Sequence, residues 1–67
     1  MFSKVKGYNK LTEAQQNIFK LVHKRHMQVV EDQTVWQPAS VRVEGTCLKV
    51  TFQNGEWLHY TRELTWY

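Results

Sequence analysis

Apolar residues fall at Ala14, Ile18, Leu21, Val22, Val29 and Val30, with Phe19 beside them. Glu13, Gln16, Asn17, Lys20, Lys24 and Gln28 fill the opposite side. This is the 3.6-residue period of an amphipathic helix. Thr12 is a good N-cap, since its hydroxyl can accept from a free N–H of the first turn. Gln15, three residues on, can bond back and complete a capping box. No Gly or Pro interrupts the run from Glu13 to Glu31. The spacing predicts a helix over 12–31, fraying at the β-branched Val29 and Val30. Ile18, Phe19, Val22 and Val29 should form its buried face. Residues 1–10 have no period and contain Gly7 and Asn9, so they read as a basic arm or loop.

From Val35 onward the period changes to two. Val41 and Val43 alternate with Arg42 and Glu44, and Leu48, Val50 and Phe52 alternate with Lys49 and Thr51. These are strand patterns with one buried face each. Gly45-Thr46 and Asn54-Gly55 both fit two-residue hairpin turns. The first turn would set Glu44 against Cys47, Val43 against Leu48 and Val41 against Val50. The second would set Gln53 against Glu56, Phe52 against Trp57, Val50 against His59 and Leu48 against Thr61. Both place Val41, Val43, Leu48, Val50, Phe52, Trp57 and His59 on one side, the expected core. Arg42, Lys49, Thr51, Leu58 and Tyr60 would lie outside. Arg42 opposite Lys49 is a like-charge pair that needs an offset from Glu44, Tyr60 or a bound anion. Trp36-Gln37-Pro38 reads as an edge, because proline cannot donate to a ladder. Leu64-Thr65-Trp66-Tyr67 reads as a short last strand. The expected fold is α+β: one long N-terminal helix packed on a three- to four-stranded antiparallel β-meander over 35–67, all within a single domain of residues 1–67.

Composition narrows the class. Sixty-seven residues bury only about 60% of their unfolded surface, which leaves little room for an enclosed pocket. Hydrophobic residues make up 42% and there is one proline, a globular balance. No apolar run reaches the ~20 residues of a membrane span, and Met-Phe-Ser-Lys-Val-Lys-Gly has no apolar segment of a secretory signal. The single cysteine, Cys47, cannot form an internal disulfide. The expectation is a reduced, cytoplasmic protein. Charge is divided unevenly. Residues 1–30 carry +5, from Lys4, Lys6, Lys10, Lys20, Lys24 and Arg25 against Glu13, and residues 31–67 carry −2. The basic half suits phosphate or an acidic protein.

Few residues suggest chemistry. His23 and His26 share a helix face, but metal sites need three or four ligands. In the predicted register Cys47 lies on the face opposite His59, which disfavours both a metal site and a Cys-His nucleophile. His23 then reads as a solvated helix residue and His26 as a boundary one. The carboxylates are scattered and no Gly-rich phosphate loop is present. No catalytic residue, metal ligand or cofactor is predicted, and the chain is not expected to be an enzyme. Trp57 is assigned to the core. Tyr60 beside Leu58 stands out on the polar face, either exposed or partly covered by Phe2, Val5 or Tyr8.

Two stretches carry resemblances. Leu11-Thr12-Glu13-Ala14-Gln15-Gln16-Asn17-Ile18-Phe19 resembles the first helix of winged-helix repressors of the LexA type, but no recognition helix follows and no DNA-reading role is carried over. Gly55-Glu56-Trp57-Leu58-His59-Tyr60-Thr61 with Thr65-Trp66-Tyr67 resembles small open reading frames of phages and prophages of Gram-positive bacteria. That resemblance implies a genomic setting, and proteins of that kind are commonly non-catalytic accessory factors. With the small fold, the absent active site and an exposed Leu58/Tyr60 patch, the expectation is a protein that binds and modulates or inhibits a host or defence protein in the cytoplasm of an infected or lysogenic cell. Two further readings come from the residues. One is a small basic nucleic-acid-binding module using the sheet face, where Arg42, Lys49 and Tyr60 would combine charge with stacking. The other is a homo-oligomeric subunit paired through sheet edges and Trp66-Tyr67. The expected binding residues are Arg42, Lys49, Leu58 and Tyr60 on the sheet, with Lys20 and Lys24 on the helix.

Overall fold

A computed structural model describes residue 2 and residues 4–67. Met1 and Ser3, part of the predicted arm, lie outside the described residues. The architecture is α+β, with one α-helix, α1 (Glu13–Val29), against a three-stranded antiparallel sheet. The strands are β1 (Pro38–Glu44), β2 (Cys47–Phe52) and β3 (Trp57–Tyr60), in that spatial order. Short 3₁₀ turns at Tyr8–Lys10 and Gln33–Trp36 lead into α1 and β1. Among the described residues no fourth strand forms. Trp66 makes only an isolated bridge to Tyr60. Among the described residues, no helix is long and apolar enough to cross a membrane.

α1 begins as its sequence dictates. The Thr12 hydroxyl accepts from Gln15 N–H at 3.2 Å, and the Gln15 side chain accepts from Thr12 N–H at 2.9 Å. The helix stops at Val29, where the next β-branched residue, Val30, is extended, and the Gln33 amide donates to the freed Met27 carbonyl at 3.1 Å. Its buried stripe is Phe19, Val22, His23, His26 and Met27. Two expectations are thereby corrected. Val29, the last residue of the helix, is exposed and lies outside that stripe. His23 and His26 are neither solvated nor at a boundary; they are buried.

The β1–β2 hairpin has the predicted register, Glu44↔Cys47, Arg42↔Lys49 and Val41↔Val50. The β2–β3 hairpin does not. Asn54 has negative φ, so a type I′ turn is excluded. Gly55 alone is left-handed, at φ 87°. Gly55 N–H donates to Phe52 C=O, Phe52 N–H donates to Glu56 C=O, and the Asn54 carboxamide oxygen accepts from Glu56 N–H. The loop is therefore three residues long, a turn followed by a left-handed glycine. One extra loop residue flips every β3 side chain to the other face. Thr51 pairs with Trp57, Val50 with Leu58, Lys49 with His59 and Leu48 with Tyr60. Leu58 and Tyr60 thus point inward and Trp57 and His59 outward, which reverses the predicted assignment.

Burial energy explains the choice. Tyr60 is fully buried, among Phe19, Phe52 and His26. Its hydroxyl lies 3.2 Å from His23 Nδ1 and 3.0 Å from His26 Nδ1. A phenol has one proton, so it donates to one imidazole and accepts from the other. Burial pushes His23 down to about 4, aided by His26, and lowers His26 as well. Burial also raises the Tyr60 phenol well above its usual range.

The arm folds onto this core. Val5, Tyr8 and Leu11 are buried, and Phe2 packs edge-on against Phe19 and His23. Lys6 bridges to β1 through bonds from Lys6 N–H to Ala39 C=O at 3.1 Å and from Val41 N–H to Lys6 C=O at 2.8 Å. The close approach needs Gly7. Its φ is 89°, and a Cβ there would overlap the Val41 carbonyl oxygen.

Two outcomes follow from this packing. Gly7→Ala should lower stability more than Gly55→Ala, since both sit at positive φ but only Gly7 meets backbone. The Gly7 loss should exceed about 1 kcal/mol, read as a larger fall in melting temperature. For the histidines, the folded pKa lies below the unfolded value near 6.5. Their contribution is therefore complete above pH 6.5 and lost as pH falls below it, for His23 towards about 4. Thermal melts at stepped pH should be flat above 7 and fall through that window. In His23→Leu the fall should be shallower, whatever the absolute stability.

Candidate nucleic-acid interface

The outer sheet face is built from alternate residues of three strands. One row runs Arg42, Lys49, His59 by strand pairing. Tyr67 continues it: His59 N–H donates to Tyr67 C=O at 2.9 Å and Tyr67 N–H to His59 C=O at 3.1 Å. The next row is Ser40, Thr51 and Trp57. Two cations and three aromatic rings thus share a face turned away from the buried side, where Phe19 of α1 meets Tyr60.

Three rings form a continuous group. His59 stacks on Tyr67 at 4.8 Å with a 21° interplanar angle and meets the Trp57 ring edge-on at 5.3 Å. Trp57 is 51% exposed and Tyr67 66% exposed. Lys49 Nζ sits 4.6 Å over the centre of the Trp57 ring. The like-charge pair is resolved here, with Lys49 on Trp57 and Arg42 on Glu44 at 3.3 Å. Glu44 also lies 3.4 Å from His59 Nε2. The hydrogen bond from His59, with Arg42 and Lys49 nearby, holds the Glu44 carboxyl below its usual range. The Tyr67 hydroxyl is raised by its contact with Cys47 Sγ at 3.8 Å and by the charge of Glu44. His59 Nδ1 is buried without a hydrogen-bond partner.

At the β1 side the row opens into a cleft of about 700 Å³. The docked arm forms its far wall. Lys6, Lys10, Arg42 and Lys49 line the cleft together with Gly7, Val41 and Thr51. Four cations of the cleft and three rings of the adjoining surface therefore form one continuous strip.

Of the expected binding residues, Arg42 and Lys49 are brought together on this face. Tyr60 is fully buried and Leu58 packs against the core, so neither can contact a partner from the polar face. The longer β2–β3 loop is the reason. Lys20 and Lys24 are exposed on α1, in the other layer, and do not join the cluster. Lys6 and Lys10 of the arm were missed as site residues, and so were Trp57, His59 and Tyr67. The signal for the strand residues was the Trp57-Leu58-His59-Tyr60 alternation, which reads equally well in either phase. Cys47 and His59 lie on the same face, which removes the facial argument against their meeting, though Cys47 contacts Tyr67 instead. Among the described residues, no group of three His, Cys, Asp or Glu is placed to hold a metal ion. No protein-family model, curated protein or solved structure matches the chain.

Proposed function

We propose that the chain is a small nucleic-acid-binding module that uses its outer sheet face. The observation that carries this reading is the strip from Lys6, Lys10, Arg42 and Lys49 to Trp57, His59 and Tyr67. Cations supply the phosphate attraction and exposed rings supply stacking. The internal contacts of the face are weak enough to exchange. An exposed pair such as Arg42–Glu44 contributes about 0–1 kcal/mol, so a phosphate can take its place on Arg42.

Protein docking, the role suggested by the phage-type resemblance, has one structural feature in its favour. Leu21 and Val29 are exposed on α1, in a row with Arg25. That face would take an acidic partner. Self-association through sheet edges loses its motive, because Lys6 and Trp66 already bridge to the outer strands of their own chain.

Retention on immobilised oligonucleotides, eluted with a salt gradient, tests the nucleic-acid reading. Four phosphate contacts give log K against log salt a slope of about −3. Arg42→Ala/Lys49→Ala should elute much earlier and with a shallower slope, while Lys20→Ala/Lys24→Ala should shift less. Absence of retention at low salt, or equal loss in the two double variants, would remove the sheet face as the site.

A further inference from the structure

We propose that the ligand is a single strand that crosses the sheet at right angles to the β-strands, stacking one base on Trp57 in place of the Lys49 ammonium and another on Tyr67. This rests on the nucleic-acid reading and specifies its substrate class.

His59 fills the space between Trp57 and Tyr67, edge-on to one and stacked on the other. Each outer ring keeps a surface open to solvent, consistent with their exposure. A π-face can be used only by an unstacked base, and the bases of a duplex are stacked on one another. Duplex reading instead needs an element that enters a groove, such as a helix or a two-stranded ribbon. α1 packs its Phe19 against Tyr60, which points to the opposite side of the sheet from Trp57.

Lys49 is placed to yield to a base. Its ammonium covers the Trp57 ring at 4.6 Å. A cation over an exposed ring is held less strongly than a base stacked on it, so an incoming base displaces the ammonium. Lys49 also lines the cleft with Lys6, Lys10 and Arg42. The displaced ammonium therefore moves towards the phosphates and acts as a clamp. Lys49 guards the stacking surface when empty and grips the backbone when it is filled.

Arg42 to Tyr67 spans three inter-strand steps, about 14 Å, and the arm adds one more on the cleft side. That corresponds to a footprint of about 4 nucleotides, the small end of the range for single-strand folds.

The experiment is fluorescence anisotropy at low salt. It uses labelled oligo-dT and oligo-U of 2 to 12 residues and a hairpin duplex with a matched number of phosphates. The two sugars separate a DNA strand from an RNA strand as the natural source. Expected is an affinity that climbs to about 4 nucleotides and then rises only statistically, with the duplex at least about 10-fold weaker. Trp57→Ala and Tyr67→Ala should each weaken single-strand binding about 10-fold with the salt slope unchanged. Lys49→Ala should reduce the slope by about one phosphate contact. Circular dichroism melts confirm that these surface variants stay folded. Duplex bound as tightly as single strand, with Trp57→Ala silent, would overturn the stacking proposal and leave the nucleic-acid reading standing. No binding of any oligonucleotide at low salt would overturn both.

Discussion

The Tyr60 hydroxyl, shared between His23 and His26, is the contact on which the rest of the structure depends. One phenol at 3.2 and 3.0 Å from two imidazole nitrogens joins β3 to two successive turns of α1. An unpaired buried polar group costs about 1–3 kcal/mol. Shifting β3 by one residue would orphan both imidazoles and move the phenol to solvent. It would also bury Trp57 and His59 in a space shaped for Leu58 and Tyr60. In a core this small, that cost fixes the register.

The same group anchors the flanking segments. Phe2 lies edge-on to His23, and Trp66 and Trp36 pack on His26 at 5.2 and 5.0 Å. The arm, the connector before β1 and the segment after β3 therefore converge on two neutral imidazoles. Their docking sets the outer face indirectly. The arm presents Lys6 and Lys10 to the cleft, and the turn at Leu64, held in the left-handed region at φ 63°, returns the chain so that Tyr67 reaches His59. Thr61 closes that turn through its hydroxyl, which meets Thr65 Oγ1 at 2.7 Å and accepts from Thr65 N–H. Leu64 and Trp66 pack against the core, and that burial offsets the strain at Leu64.

How much of this the sequence discloses depends on whether a local rule decides the outcome. Thr12 and Gln15 fix the start of α1 by short-range hydrogen bonds, so the capping box was readable. Gly45-Thr46 fixes the β1–β2 register for the same reason. Asn54-Gly55 supports two loops, because glycine can serve as the second residue of a type I′ turn or as the left-handed third residue of a longer one. The flanking Trp57-Leu58-His59-Tyr60 is apolar or aromatic in both phases and cannot arbitrate. The arbiter is long-range, from His23 and His26, 37 and 34 residues away. A helix pattern that treats histidine as polar leaves both outside the predicted core. Two of the seven site residues, Arg42 and Lys49, were legible because their hairpin was. The aromatic residues were not, because their hairpin turned on a buried contact.

This division has a consequence for function. Trp57, Leu58, His59 and Tyr60 alternate between two tasks, and the inward pair packs into the core beneath the outward pair. The outward contacts are exposed and individually weak: a cation over Trp57, a surface ion pair at Arg42, a long bond from His59 to Glu44. A surface whose geometry is imposed from beneath can give up its own contacts to a ligand without loosening. Substitutions at Trp57, Lys49 or Arg42 should therefore alter binding far more than stability, whereas Tyr60→Phe should do the reverse. Tyr60→Phe leaves at least one buried Nδ1 unpaired and should lower stability by about 1–3 kcal/mol. Unfolding and oligonucleotide titrations on the same four variants separate the two effects. A Tyr60→Phe protein that melts like the parent would show that the register is held by something other than the shared hydroxyl.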